Sequence, residues 1–232
     1  MQVQEIPGLG HLPYAEVWLH GVDEARWREA SSAARGIGKT GLEVWTTTKT
    51  QEVADFFVSR GYEEVRRYAI SELDVASARD LGPPEFEIVS LADRPELADE
   101  LYAIARTAYP DQFGREGTYI GGEWYEWGLR AHPPEPYLIA LENSRVLGYG
   151  YLEHEGDEWR VGFMAIARDA RGRGVAGAIK RAQTAWAKAH GIKSLRTANE
   201  VRLVGLIALN RRIGYRPLYE EIVLRGPLAP DS

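Results

Sequence analysis

The densest chemistry in the chain lies between Arg168 and Gly177, Arg-Asp-Ala-Arg-Gly-Arg-Gly-Val-Ala-Gly. Three arginines and two glycines fall within the seven residues 168–174. Gly172 and Gly174 let the backbone turn tightly with no side chain in the way, so consecutive N–H groups can point at one bound anion. Arg171 and Arg173 add charges suited to phosphate oxygens. An apolar run, Val161 to Ala167, precedes the stretch, and Val175, Ile179, Ala182 and Trp186 follow it at helical spacing. Strand, glycine turn and helix in that order set the turn at a helix N-terminus, where the dipole favours negative charge. The chemistry expected is phosphate binding.

Arg171-Gly172-Arg173-Gly174-Val175-Ala176 fits Arg/Gln-x-x-Gly-x-Gly/Ala. In its strand-loop-helix setting it resembles the pyrophosphate loop of the GNAT superfamily of acyl-CoA N-acyltransferases. Downstream, Leu195-Arg-Thr-Ala-Asn199 reads as the next strand, and Leu209-Asn-Arg-Arg-Ile-Gly-Tyr215 resembles the family's helix running into Gly-Phe. The resemblance spans residues 85–232. It implies an α/β (α+β) fold with a splayed mixed central sheet flanked by helices, and transfer of an acetyl group from acetyl-CoA, as cosubstrate and without a metal. The acceptor it implies is a primary amine of a small molecule or peptide, attacking directly in a ternary complex.

The same resemblance assigns roles. Backbone groups of Met164, Ala165 and Ile166 would pair with the pantetheine arm, as an added strand pairs with a sheet edge, and Arg171, Gly172, Arg173, Gly174, Val175 and Ala176 would hold the pyrophosphate. The family's proton donor to the thiolate is a tyrosine four residues before the Gly of Gly-Phe. Here Asn210 stands in that place, and an amide donates a hydrogen bond but delivers no proton. Tyr219, Tyr215 or water remain as donors. The family's cofactor-binding asparagine, seven residues earlier, is replaced by Leu203, and Asn199 stands in at the cleft mouth. The carboxylate that serves some relatives six residues before Ile166 is Arg160 here. Glu153 is the candidate base, with His154 and Glu155 beside it in the meander, and a proton relayed through water is the alternative. A non-catalytic acyl-CoA-binding or sensor protein is the competing reading, since it would keep the loop and lose the acid.

Composition narrows the field. At 232 residues and 44% hydrophobic, the chain can bury a sizeable core in one large or two modest domains. Its net charge of −6 argues against broad attraction to nucleic acid or an anionic membrane, so any phosphate site must be a local basic island. With no cysteine, thiol nucleophiles, disulfides and thiolate metal sites are all excluded. No segment reads as a signal peptide or a membrane span, and the cytoplasm is the expected compartment. A homodimer is compatible with the sequence and not required by it.

The elements that must position these residues follow in order. Residues 1–13, with Pro7-Gly8 and Pro13, read as irregular. Strand 15–19, a helix capped by Asp23 and ending near Ala34, strand 42–47, helix 51–60 and strand 62–70 then make a β-α-β-α-β lobe, residues 1–75. Gly36-Ile-Gly-Lys-Thr40 invites a nucleotide-loop reading, but Ala33 occupies the first glycine position and the turn follows a helix. It reads as a helix end with Lys39 near the terminal carbonyls.

Shifted by 153 residues, Gly61-Tyr62 falls on Gly214-Tyr215, Leu42 on Leu195, Val53 on Leu206 and Phe56 on Leu209. Between Leu19 and Leu42 lie 22 residues, against 27 between Ala167 and Leu195, and the missing length falls at the phosphate loop. The first lobe is therefore either a degenerate half-GNAT unit or an ordinary unit with the same ending. A linker, 76–84, contains Pro83-Pro84.

Beyond it come a strand over 86–91 and a helix capped by Asp93 with Glu96 three residues on. Leu97, Leu101, Ile104, Ala105 and Ala108 form its stripe, and it stops before Pro110. A variable stretch, 111–136, carries Trp124-Tyr125-Glu126-Trp127, and the resemblance to the GNAT superfamily implies that it lies beside the acceptor and shapes its site. Strands at 137–141, 146–153 and 159–167 form a meander feeding the loop, followed by the loop helix, strand 195–198, helix 201–212 and strand 215–224.

Overall fold

A computed structural model describes residues 1–6, 9–113, 124–156 and 158–230. Pro7-Gly8, Asp157 of the expected turn and residues 114–123 of the variable stretch lie outside them. By contacts the chain divides into two compact units. The first is Met1–Ile70 with Asn199–Leu203 and Pro217–Ser232, and the second is Ser71–Ala198 with Val204–Arg216. The sequence division keeps 85–232 together, whereas here the chain's end belongs with its beginning.

In the first unit, β1 (Val3–Glu5) pairs antiparallel with β2 (Tyr14–Trp18), which runs parallel to β3 (Gly41–Thr47). The opening residues, expected to be irregular, thus include an edge strand held by Val3 opposite Val17. β10 (Arg216–Pro227) pairs antiparallel with β3, Glu221 opposite Thr47 through Pro227 opposite Gly41. Helices α1 (Glu24–Gly36) and α2 (Gln51–Val58) pack Trp27, Ala30, Ala34, Val53 and Phe57 onto Leu42, Val44, Ile222 and Leu224. The Asp23 side chain accepts from the Arg26 N–H at 2.8 Å, the expected N-cap.

Lys39 departs from expectation. Its ammonium turns to the carbonyls of Gly10 and Leu12 and to Glu5, because the buried stem leads toward the N-terminal segment and away from the helix end. A lysine so committed serves no phosphate, which agrees with rejecting a nucleotide loop. On the sheet face away from α1 and α2, Glu43 is fully buried between Arg66 at 2.8 Å and Arg225 at 2.7 Å.

The division falls inside β4 (Glu63–Asp74), which continues four residues past the expected strand end at Ile70. Leu73 and Val75 are core residues of the second unit, with Val161, Leu195, Ile213 and Tyr215. There β5 (Glu87–Ser90), β6 (Tyr137–Glu142), β7 (Arg145–Glu155) and β8 (Glu158–Ile166) form an antiparallel meander, and β9 (Ser194–Glu200) adds parallel to β8. Asn143 and Ser144, both at positive φ, make the β6–β7 turn. Alternation along the strands serves two faces. Tyr137, Ile139, Tyr149, Tyr151 and Ala165 meet α3 (Ala98–Phe113), while Ala140, Leu147, Met164 and Ile166 meet α4 (Val175–Ala189).

Two expectations about α3 fail. Asp93 does not cap it: the Asp93 carboxylate accepts from the Ser90 hydroxyl at 2.7 Å, and Pro95 opens a short 3₁₀ turn leading into the helix. Nor does Pro110 stop it. The helix runs to Phe113 because Tyr109, stacked on Phe163 at 4.2 Å, anchors the turn on the sheet, and that packing outweighs one lost backbone bond. Trp124, 1% exposed, is core within a π-type helix, Trp124–Arg130. Helix α5 (Val204–Ile213) starts three residues later than expected, since 201–203 form a turn closed by the Leu203 N–H on the Glu200 carbonyl. Among the described residues no helix is long and apolar enough to cross a membrane.

Candidate functional site

The glycine turn has the conformation its sequence requires. Gly172 sits at φ 76° and Gly174 at φ 89°, and nothing lies within 4 Å of where a Cβ would stand at either. Gly174 caps α4 without a side chain, and the Ala178 N–H is bonded to the Gly174 carbonyl. The N–H groups of Val175, Ala176 and Gly177 therefore precede the helix's own acceptors and face outward at the positive end of the dipole. That cradle, bare of side chains, fits a pyrophosphate. The arginines are placed differently: Arg171 Nε donates to the Ile166 carbonyl at 3.2 Å, and Arg173 pairs with Glu142 at 2.6 Å. Exposed pairs of that kind are worth about 0–1 kcal/mol, so an incoming phosphate can recruit Arg173 at little cost.

β8 leads into this turn with a bulge. Its pairing with β7 steps from Gly150–Met164 to Leu152–Val161, two residues against three, which places the extra residue at Gly162–Phe163. A Cβ at Gly162 would collide with the Tyr151 ring. On the other side, the parallel ladder with β9 holds only Arg160–Arg196 and Val161–Thr197. Past that rung the outer edge of β8, Gly162 to Ile166, has no ladder among the described residues. The Ala167 N–H bonds the Leu147 carbonyl at 2.9 Å, so by antiparallel alternation Ala165 spends its backbone groups on β7. Met164 and Ile166 turn theirs to the open edge.

Under that edge, the inward face of α4 carries Val175, Ile179, Lys180, Gln183 and Ala187. Lys180 is 1% exposed, with Nζ 3.4 Å from the Thr197 hydroxyl and 5.1 Å from the centre of the Tyr215 ring. Burial pulls its pKa down to about 7. Gln183 Nε2 donates to the Tyr151 carbonyl at 3.2 Å. The sequence reading placed Ala182 and Trp186 on this face and missed Lys180. The signal was there in 179, 183 and 187, one turn apart, with 180 on the same face, where a charged residue obscures it.

The three catalytic candidates lie on three different elements, β7, α5 and β10. Glu153 projects on the α3 side, its carboxylate 3.8 Å from His132 Nε2, and the His132 ring stacks on Tyr151 at 4.6 Å. Asn210 is buried on α5, its carbonyl accepting from the Tyr215 N–H. Tyr219 belongs to the first unit, where Lys49 Nζ stands 4.1 Å over its ring, and Asn199 belongs to that unit too. Tyr215 is a poor donor, because burial raises its phenol pKa. Among the described residues no three His, Asp or Glu side chains are grouped to hold a metal ion.

The family described as "Acetyltransferase (GNAT) family" matches residues 98–215. A GCN5-related N-acetyltransferase from Sphaerobacter thermophilus is similar in structure, with TM-score 0.71 and 16% identity over 98% of this chain and 76% of that one. A tandem GNAT protein from the clavulanic acid biosynthesis pathway gives 0.63 and 17%, over 95% and 77%. A GCN5-related N-acetyltransferase from Kribbella flavida gives 0.62 and 16%, over 93% and 82%. No curated protein matches the chain.

Proposed function

From the premise that the chain belongs to the acetyltransferase (GNAT) family, whose members transfer acyl groups from acyl-CoA, we propose that it moves an acetyl group from acetyl-CoA to a primary amine. The acceptor is a small molecule or a peptide, and attack is direct. The observation that carries this reading is the bare glycine cradle at the head of α4, continuous with the open edge of β8. The N–H groups of 175–177 bind the pyrophosphate, with Arg171 and Arg173 drawn to it. Met164 and Ile166 offer backbone groups to the pantetheine arm, and an N–H on this edge is placed to hold the carbonyl oxygen as charge develops on it. When bound, acetyl-CoA supplies an activated thioester carbonyl.

Glu153, beside His132, is the base assigned to the amine proton. Asn210 donates a hydrogen bond to the sulfur, and Asn199 contributes to cofactor binding. The expected setting is cytoplasmic, with no metal, nucleic acid or membrane partner, and the chain is compatible with a homodimer. Purified protein given acetyl-CoA and a panel of primary amines should release free thiol in an amine-dependent manner.

A second reading is favoured by one observation, Asn210 in the tyrosine position: a protein that binds acyl-CoA without turning it over. Tight CoA binding with no amine-dependent thiol release across the panel would select it.

A further inference from the structure

Lys180 has no use as packing. Its amine is buried, with the neutral Thr197 hydroxyl at 3.4 Å and the Tyr215 ring centre at 5.1 Å. A methionine or leucine would fill the same space without the cost of desolvating a cation. Its place along the strands is specific. Thr197 forms the last rung of the β8–β9 ladder with Val161, and the open edge of β8 begins at the next residue, Gly162, and ends at Ile166 beside the glycine turn. That edge is roughly 13 Å long at the usual rise of a strand. The phosphate cradle lies at one end and Lys180 at the other.

We propose that the ammonium of Lys180 is the acid that protonates the CoA thiolate as it leaves. This rests on the acyltransferase reading above and fills the step that Asn210 cannot perform. In balance, the acceptor nitrogen bonds to the acyl carbon, the carbon–sulfur bond breaks, and the sulfur takes a proton from Nζ. The proton released by the acceptor amine passes to the Glu153 carboxylate and on to solvent, from which the neutral Lys180 is recharged. Burial lowers the ammonium from its usual range of about 10.4 to about 7, so it gives up its proton more readily than an ordinary lysine. Burial is the sole cause of that shift. The inward faces of β6, β7 and β8 present apolar side chains to α4, with Gln183 tied to the Tyr151 carbonyl. β9 presents Thr197, the exit of α5 presents the Tyr215 ring, and neighbouring Arg181 turns away to Glu85.

CoA itself is the probe. Binding of CoA to wild type and Lys180→Met is measured by calorimetry, and ionisation of the bound thiol is followed by thiolate absorbance as pH is raised. Both proteins should bind CoA alike, and the variant should melt no lower than wild type. On wild type the bound thiol should ionise about one unit or more below free CoA, drawn down by the adjacent ammonium, and the shift should vanish in Lys180→Met. With any amine that supports turnover, kcat should fall about 10²-fold in the variant. The descending limb of the wild-type profile, where rising pH discharges the acid, should disappear with it. A bound thiol on wild type that ionises like free CoA overturns the proposal even if no variant folds. Failure of wild type to bind CoA at all overturns the acyltransferase reading first and this one with it.

Discussion

A valine at position 174 must adopt φ near 89°, a conformation that costs a β-branched residue heavily, and its side chain would fill the space above the first turn of α4. We expect Gly174→Val to remain folded, because the turn is exposed, and to lose CoA binding by calorimetry. Unchanged affinity in a folded variant would remove the cradle as the phosphate site. The two donor candidates separate just as cleanly. Tyr219→Phe should keep kcat within about twofold if Lys180 is the acid, since loss of a proton donor costs 10²-fold or more. A 10²-fold loss in Tyr219→Phe alongside an active Lys180→Met would reverse the assignment. The glycine cradle was legible in the sequence because glycine states its purpose through backbone freedom. Lys180 was not, because a lysine in a helix reads as solvated until burial is known.

At the level of elements, β3 shows how the first unit's sheet is held from both faces. One face buries Leu42 and Val44 beneath α1 and α2, and the other buries Glu43, whose carboxylate meets Arg66 and Arg225 from the strands beyond. Removing the central carboxylate takes away the charge that both guanidinium groups share in a buried place, at a cost of about 3–5 kcal/mol. Glu43→Ala should therefore lower the denaturation free energy by about that amount, measured by urea titration, with CoA affinity as an independent readout. A loss under about 1 kcal/mol would mean that solvent reaches the arginines. Element positions were mostly legible because their signals are local: Asp23 before a helix, Asn143-Ser144 between strands, Gly191 at φ 69° after α4. Two of the failures share one physical reason. The passage of α3 through Pro110 and the extension of β4 to Asp74 are set by distant packing, Tyr109 on Phe163 and Leu73 in the second unit's core.

For the whole molecule, the internal similarity gains detail. The step from β2 through α1 to β3 and that from β8 through α4 to β9 each join parallel strands. After α2 and α5, Gly61 and Gly214 take positive φ, and the next N–H reaches back to the Phe57 carbonyl at 3.1 Å and the Asn210 carbonyl at 3.0 Å. The strand that follows each helix then serves in a way no local signal predicts. β10, from the chain's end, completes the first unit against β3, and the end of β4 supplies Leu73 to the second. An isolated fragment 1–75 would lose β10's seven rungs with β3 and the core contributions of Ile222, Leu224 and Ala229. A fragment of that size is already marginal in buried area. We expect it to show no cooperative thermal transition by circular dichroism, and to gain one when a peptide covering 212–232 is added in trans. A cooperative melt of 1–75 alone, unchanged by the peptide, would show that the first unit does not depend on the strand it receives from the far end of the chain.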